Sequence, residues 1–369
     1  SYIVCVMQHS FNITVPRIGF ACKYVHPDQS LPKRELKEIE SSYSERATTV
    51  AWLNRQPRRV AEERLESIVA DNLRNAYRLV KYVSGLPRNR RMVRLGSNII
   101  PMATEPSWRY VVESGDMISL QEREFARIGE LARAHDVRLS FHPGQFTVLA
   151  SDTPDIVDRS IDEFEYHAGM ARMMGYGKTF QDFKCNVHIS GRQGAAGIIA
   201  ALARMTPEAR NILTIENDEF SWGLDESLKL VDHCALVLDI HHHWIHDGEY
   251  IEPADDRFKR VIDSWRGVRP AMHYSYSRCE HLPEGFGHTR RHDYKVLLEA
   301  GAKRTKLRAH SDYLPNRAAN EWALSFLPYA DIMVEAKMKN LASQQLYEQA
   351  QESTLLQSFE GQQVDQLVD

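Results

Sequence analysis

A single closed barrel of eight parallel strands wrapped by helices, the (β/α)₈ or TIM-barrel class, is the fold this sequence predicts. Short apolar, β-branched runs alternate with amphipathic stretches of roughly 12 to 20 residues, the rhythm of repeated βα units. Eight such runs occur in one chain, which argues for closure into a barrel. With 43% hydrophobic and 26% charged residues over 369 positions, there is ample material for one large core, and barrels of this length fill a single domain.

In order, the strand runs are Arg17 to Cys22, Met92 to Asn98, Val137 to Pro143, Cys185 to Ser190, Asn211 to Asn217, Ala235 to His243, Pro270 to Ser275 and Asp331 to Lys337. Helical patterns fill the intervals at Arg64 to Tyr82, Gln121 to His135, Asp155 to Met174 and Asp225 to His233. Thr153-Pro154 supplies a start signal for the third of these, because proline is pre-organised for a first helical turn. The core of the barrel is placed at residues 17–340. Residues 279–306, rich in His, Arg and Gly, read as an insertion at the barrel mouth before the last strand. The Gln- and Glu-rich tail, residues 345–369, reads as an exposed or frayed helix without catalytic content.

Net charge is −4 and the pI about 6.5, which counts modestly against a polyanionic partner. Bound cations in a carboxylate-rich site would offset part of that charge, so the local pattern matters more than the total. Five scattered cysteines, Cys5, Cys22, Cys185, Cys234 and Cys279, form no Cys-x-x-Cys pair, pointing to a reducing compartment and excluding a zinc finger. The partly apolar first sixteen residues lack a basic start and a cleavage site, and no apolar run approaches membrane-spanning length. A cytoplasmic protein without membrane spans is expected, monomeric and with no obligate protein partner.

From the third run onward, nearly every strand ends in a potential metal ligand. These are His142, His188, Glu216, Asp239 with His242, His273 and Glu335, joined by His310 from the loop before the last strand. Strand C-termini of a parallel barrel converge on one rim, so all eight would face one cavity. A lone histidine near a strand end is usually a hydrogen-bonded structural residue. Five imidazoles and three carboxylates together would incur severe desolvation and unpaired-charge costs unless cations sat among them.

Imidazole with carboxylate suits Zn²⁺, Mn²⁺ or Fe²⁺. Eight donors at about four to six per ion imply two or three ions, the arrangement that supports in-line attack at phosphorus. Phosphodiester hydrolysis is therefore the expected reaction, with Glu216 and His242 assigned a catalytic part beside their ligand role.

The residues also resemble the UV-damage endonuclease family, related to endonuclease IV and the xylose isomerase-like barrels. The resemblance rests on Asn-Leu-Arg-Asn at 72–75, Val-Arg-Leu-Gly-Ser-Asn-Ile-Ile-Pro at 93–101, His-Pro-Gly-Gln-Phe at 142–146 and Glu-Tyr-His-Ala at 165–168. Glu-Asn-Asp at 216–218, Asp-Ile-His-His-His at 239–243, His-Ser-Asp-Tyr at 310–313 and Glu-Ala-Lys at 335–337 continue it in order. It implies metal-dependent incision immediately 5′ to cyclobutane dimers, 6-4 photoproducts or abasic sites in duplex DNA, with manganese as the metal. All eight donors match the family's ligands.

The resemblance further implies that Gln145 and Phe146 wedge into the duplex opposite the flipped lesion, where an amide and a ring replace lost stacking. It sets Phe20 and Tyr24 near the lesion pocket, and makes Lys337 the cation that touches the scissile phosphate or orients a ligand carboxylate. Phe146 packed behind its loop, and Phe20 in a core layer, are the alternatives. This sequence departs from the family at Ala271, where a modifiable lysine is frequent, and at Phe20, where tyrosine is frequent. Basic clusters at Arg55, Arg58 and Arg59, at Arg88, Arg90 and Arg91, at Arg290 and Arg291, and at Lys303, Arg304, Lys306 and Arg308 are either phosphate contacts or solvated faces. The rival functions are a sugar isomerase or epimerase on a related barrel, a damage-binding protein without activity, and a general abasic-site endonuclease.

Overall fold

A computed structural model describes residues 15–353; the N-terminal segment and the end of the Gln-rich tail lie outside them. All eight expected runs contain a strand: β1 Ile18–Ala21, β2 Met92–Arg94, β3 Arg138–Phe141, β4 Lys184–His188, β5 Leu213–Glu216, β6 Ala235–Val237, β7 Ala271–Tyr274 and β8 Asp331–Val334. They pair in parallel in the order β6-β5-β4-β3-β2-β1-β8-β7. Nearly every strand residue is buried, as parallel strands covered by helices outside and packed side chains inside require.

The two ends of the sheet, β6 and β7, meet through a parallel bridge between Asp239 and His273. The His273 N–H donates to the Leu238 carbonyl at 3.0 Å. The seam of the barrel is thus closed by two of the expected ligands.

The predicted helices occur as Arg58–Ser84, Gly115–Ala134, Pro154–Met173 and a shorter Leu224–Leu228. Thr153 stands at the N-cap position of the third without a side-chain capping hydrogen bond, and Pro154 opens its first turn. The segment after β7 carries short helices Tyr294–Glu299 and Arg304–Leu307 before the helix Arg317–Leu324 that precedes β8. One expectation fails. Over its described part, the supposed tail belongs to the helix Lys339–Glu352, which buries Leu346, Tyr347 and Ala350 and packs against β1. Ala342, Leu346 and Ala350 recur at helical spacing, so the polar composition hid an apolar stripe.

At the N-terminal end of the barrel, the fully buried Asp331 carboxylate accepts from Arg138 Nη1 at 2.8 Å, Arg269 Nε at 2.7 Å and the Arg17 backbone N–H at 2.8 Å. This cluster plugs the bottom of the barrel and leaves the opposite rim to the chemistry.

Candidate metal centre

Strand register delivers the donors. His188 and Glu216 are the last residues of β4 and β5 and pair directly across the ladder. His142 follows β3 and Glu335 follows β8, whose N–H donates to the Tyr274 carbonyl at 2.9 Å. Asp239 caps the helix Ile240–Asp247: its Oδ1 accepts the His242 N–H at 2.8 Å. A neutral stand-in cap would serve that helix equally well, but only a carboxylate has a second charged oxygen to spare.

Glu216, with no exposure, sits at the middle. Its Oε2 lies 3.1 Å from His188 Nε2 and 3.4 Å from His142 Nε2. Its Oε1 lies 2.9 Å from His273 Nδ1 and 3.4 Å from His242 Nδ1. Asn186 Nδ2 donates to Oε2 at 2.5 Å. Three groups of donors are close enough to hold an ion: His142 with His188 and Glu216; His188 with Glu219 and His242; and Glu216 with Asp239, His273 and Glu335. Seven of the eight expected ligands fall within them, and Glu216 belongs to two. His310 falls outside the three groups, but it lines the same cavity of about 410 Å³ with His188, His242 and Glu335. Its place is fixed by a bridge to Ser277.

Glu219 is the ligand candidate that sequence reasoning missed. Asp218 Oδ2 accepts the N–H groups of Phe220 and Ser221 at 2.9 and 2.7 Å, turning the chain so that Glu219 returns to the rim. Glu219 Oε2 then stands 3.4 Å, and Asp239 Oδ2 3.5 Å, from His242 Nε2. Neither oxygen has a hydrogen-bond partner although both are buried. His242 Nδ1 donates to the Asn217 carbonyl at 2.8 Å, which leaves Nε2 as a bare acceptor. Three lone-pair bearers facing one another in a buried place are a poor arrangement for a protein alone and a good one around a cation.

Partners outside the donor set fix the rings, as metal-ligating histidines require. Asp218 Oδ1 holds His188 Nδ1 at 2.9 Å, and the Pro143 carbonyl holds His142 Nδ1 at 2.9 Å. Arg94 donates to Glu335 Oε2 at 3.1 Å. Lys184, the first residue of β4, reaches His273 Nε2 at 2.9 Å. A lysine thus meets this imidazole from a different strand than the one on which the buried Ala271 stands. His241 and His243 turn away: the first meets the Leu307 carbonyl, the second Asp247 and Glu249.

Burial holds His142 down to about 4. Burial opposes charge on His188 as well, but Glu216 and Asp218 outweigh it and raise its pKa. Burial, Glu216 and Glu335 together push the Asp239 carboxyl well above the ordinary range. Without a cation, this crowded set retains a proton that a divalent ion would displace.

The Gln145-Phe146 pair stands on the loop after β3, both side chains exposed and Phe146 to 85%, so packing of Phe146 behind the loop is ruled out. Tyr24 is half-buried against Tyr43 and Tyr82 and lines a second groove at the rim. Phe20 is corrected: it has no exposed surface and meets Tyr82 edge-on within the core. Both faces of β1 are buried, so position on the strand does not bring a side chain to the lesion side. Lys337 is exposed and lines the metal cavity.

The basic clusters divide. Arg58 and Arg59 pair with Glu62 and Glu63. Arg88, Arg90 and Arg91 precede β2 at the far end of the barrel, where Arg90 is buried against the Asn340 carbonyl. Arg291 pairs with Glu252. Arg308, 3.4 Å from Glu219 Oε1, does line the metal cavity.

Among the described residues no helix is long and apolar enough to cross a membrane, and Cys22, Cys185, Cys234 and Cys279 are free thiols. Comparison with known proteins agrees with the geometry. UV DNA damage endonucleases of Bacillus cereus (strain B4264) and Bacillus velezensis are 26% and 27% identical over 318 and 315 residues. In each case the match covers 82% of this chain and 87% of the relative. The crystal structure of SacUVDE superposes with a TM-score of 0.68 at 19% identity, covering 91% of this chain and 98% of that one. The family described as UV-endonuclease UvdE matches residues 16–365, nearly the whole of the chain, which therefore belongs to that family.

Proposed function

We propose that this chain is a DNA-repair endonuclease that hydrolyses the phosphodiester immediately 5′ to UV photoproducts, cyclobutane dimers and 6-4 photoproducts, in duplex DNA. The observation that carries the reading is the cluster of three adjoining donor groups, two of which share the buried Glu216. Two or three divalent ions, Mn²⁺ first, fit these groups; when bound they would lower the pKa of water and neutralise charge on the phosphate.

The chain's own residues supply the rest. Glu216, a member of two donor groups, would help hold the ions, while His242, held by Asn217, keeps its Nε2 toward the cavity. Lys337 and Arg308, both on the cavity wall, would hold non-bridging phosphate oxygens. Gln145 and Phe146 would fill the space left by the flipped lesion, and Tyr24 would border it. The free thiols among the described residues fit a cytoplasmic enzyme, and we infer that it acts as a monomer.

The test is incision of end-labelled duplexes carrying one cyclobutane dimer, one abasic site or no lesion, in Mn²⁺ and in chelator. Metal-dependent cutting just 5′ to the dimer is expected. Cutting at the abasic site alone would replace this reading with a general abasic endonuclease, and turnover of keto-sugars without any cutting would replace it with a sugar isomerase or epimerase.

A further inference from the structure

Beside the metal cavity lies a groove of about 450 Å³ whose walls are the loop after β1, the helix Lys33–Ser41 and the loop after β8. Five ammonium groups line it: Lys23, Lys33, Lys37, Lys337 and Lys339. Lys337 and Lys339 line the metal cavity as well, so the two spaces share a wall.

None of the five makes an ion pair within 4 Å or a side-chain hydrogen bond among the described residues. Most of the arginines in the clusters singled out by sequence are, by contrast, spent on carboxylates or carbonyls. The groove has one carboxylate, Glu40, and its Oε2 already accepts the His26 N–H at 3.1 Å. Lys33 and Lys37 stand one helical turn apart on the same face, a like-charge pair that costs stability unless an anion lies between. An unneutralised basic groove on a protein of net charge −4, opening from the cavity that would hold a phosphodiester, is a local feature with a polyanionic complement.

We propose that Lys23, Lys33 and Lys37, continued by Lys337 and Lys339, form a phosphate track that carries one strand of the duplex away from the metal centre. The proposal rests on the DNA-endonuclease reading and adds to it a path and a set of backbone contacts. Such contacts read charge and not sequence. Tyr24, which lines the same groove, gives a base or sugar an apolar face to rest on.

The test uses the metal-loaded full chain and fluorescence anisotropy on lesion-bearing and intact duplexes between about 50 and 200 mM salt. The Lys23→Ala, Lys33→Ala, Lys37→Ala triple variant is compared with a control triple, Lys178→Ala, Lys229→Ala, Lys259→Ala, which removes the same charge from exposed positions outside the groove. At about 0.9 per phosphate contact, the groove triple should lower the slope of log K against log salt by roughly two to three. It should weaken both duplexes by the same factor and keep its metal. The control should retain the wild-type slope. An unchanged slope in the groove triple, or an equal loss in both triples, overturns the track. Wild-type protein that binds no duplex at any salt overturns the endonuclease reading along with it.

Discussion

Lys184 Nζ lies 2.9 Å from His273 Nε2, with both groups buried. Burial, with Arg94 and Arg138 adding to it, lowers this lysine to about 7, so at pH 8 the amine is mostly neutral and can accept the Nε2 proton. That tautomer frees Nδ1, the nitrogen that faces Glu216 and Glu335 at 2.9 and 3.1 Å. Lys184→Met keeps the volume and removes the acceptor. Partners of this kind are worth about 10- to 100-fold in metal affinity. We expect a loss in that range at pH 8, measured by competition with a chromophoric chelator, with an unchanged circular dichroism spectrum; wild-type affinity would make Lys184 a spectator.

Glu219 offers a sharper test, because the sequence reading left it out. Its Oε2 is buried, unpartnered and 3.4 Å from His242 Nε2. Glu219→Gln keeps shape and hydrogen-bonding capacity but removes a charge a cation would need. We expect at least one equivalent of metal to be lost on dialysis and incision to fall by about two orders of magnitude or more, as loss of one electrostatic stabiliser typically brings. Glu216→Ala and His188→Ala should abolish incision outright while the fold persists. Full metal content in Glu219→Gln would return Glu219 to a purely structural part.

Phe146 exposes 85% of its surface on the loop after β3, so its removal should cost less than about 0.5 kcal/mol of stability. The Gln145→Ala, Phe146→Ala double variant should therefore melt with the wild type and bind metal normally. What it should lose is the ratio of affinities for dimer-bearing and intact duplex, by about 10-fold or more if one base-stacking contact of roughly 1–3 kcal/mol is removed. A preserved ratio would move lesion recognition elsewhere on the rim.

These residues also show what a sequence can disclose. His142, His188, Glu216, Asp239, His273 and Glu335 were legible because each follows or ends an apolar run, and the C-termini of parallel strands share one rim. Glu219 was not, because its return to the site depends on the turn made by Asp218, and no periodicity marks it. Phe20 was misplaced for the opposite reason: on a strand buried on both faces, alternation does not say which side meets ligand. The arginine clusters announced charge but not its neutralisation, whereas the lysines of the groove come from two stretches, 23–37 and 337–339, that are far apart in sequence and converge only on folding.

His167 carries a prediction about acid stability. The ring has no exposure, its Nδ1 donates to the Glu163 carbonyl at 2.8 Å, and its Nε2 has no partner. Burial lowers its pKa from 6.5 to about 4, which means that the folded state resists a proton that the unfolded chain accepts. Stability contributed by the neutral ring is present above about pH 6.5 and is lost progressively as pH falls toward about 4, because in that window the unfolded state binds more protons. A shift of this size corresponds to roughly 3 kcal/mol at most. His167→Phe fills the same place beside Phe141 without a titrating group, and His167→Gln does so with a polar one. Urea unfolding at intervals from pH 7 to pH 4 should therefore give wild-type stability that falls more steeply than either variant's. The difference should grow by up to about 3 kcal/mol, since other groups cancel between the proteins. Parallel curves would mean that His167 takes up its proton in the folded protein at an ordinary pH.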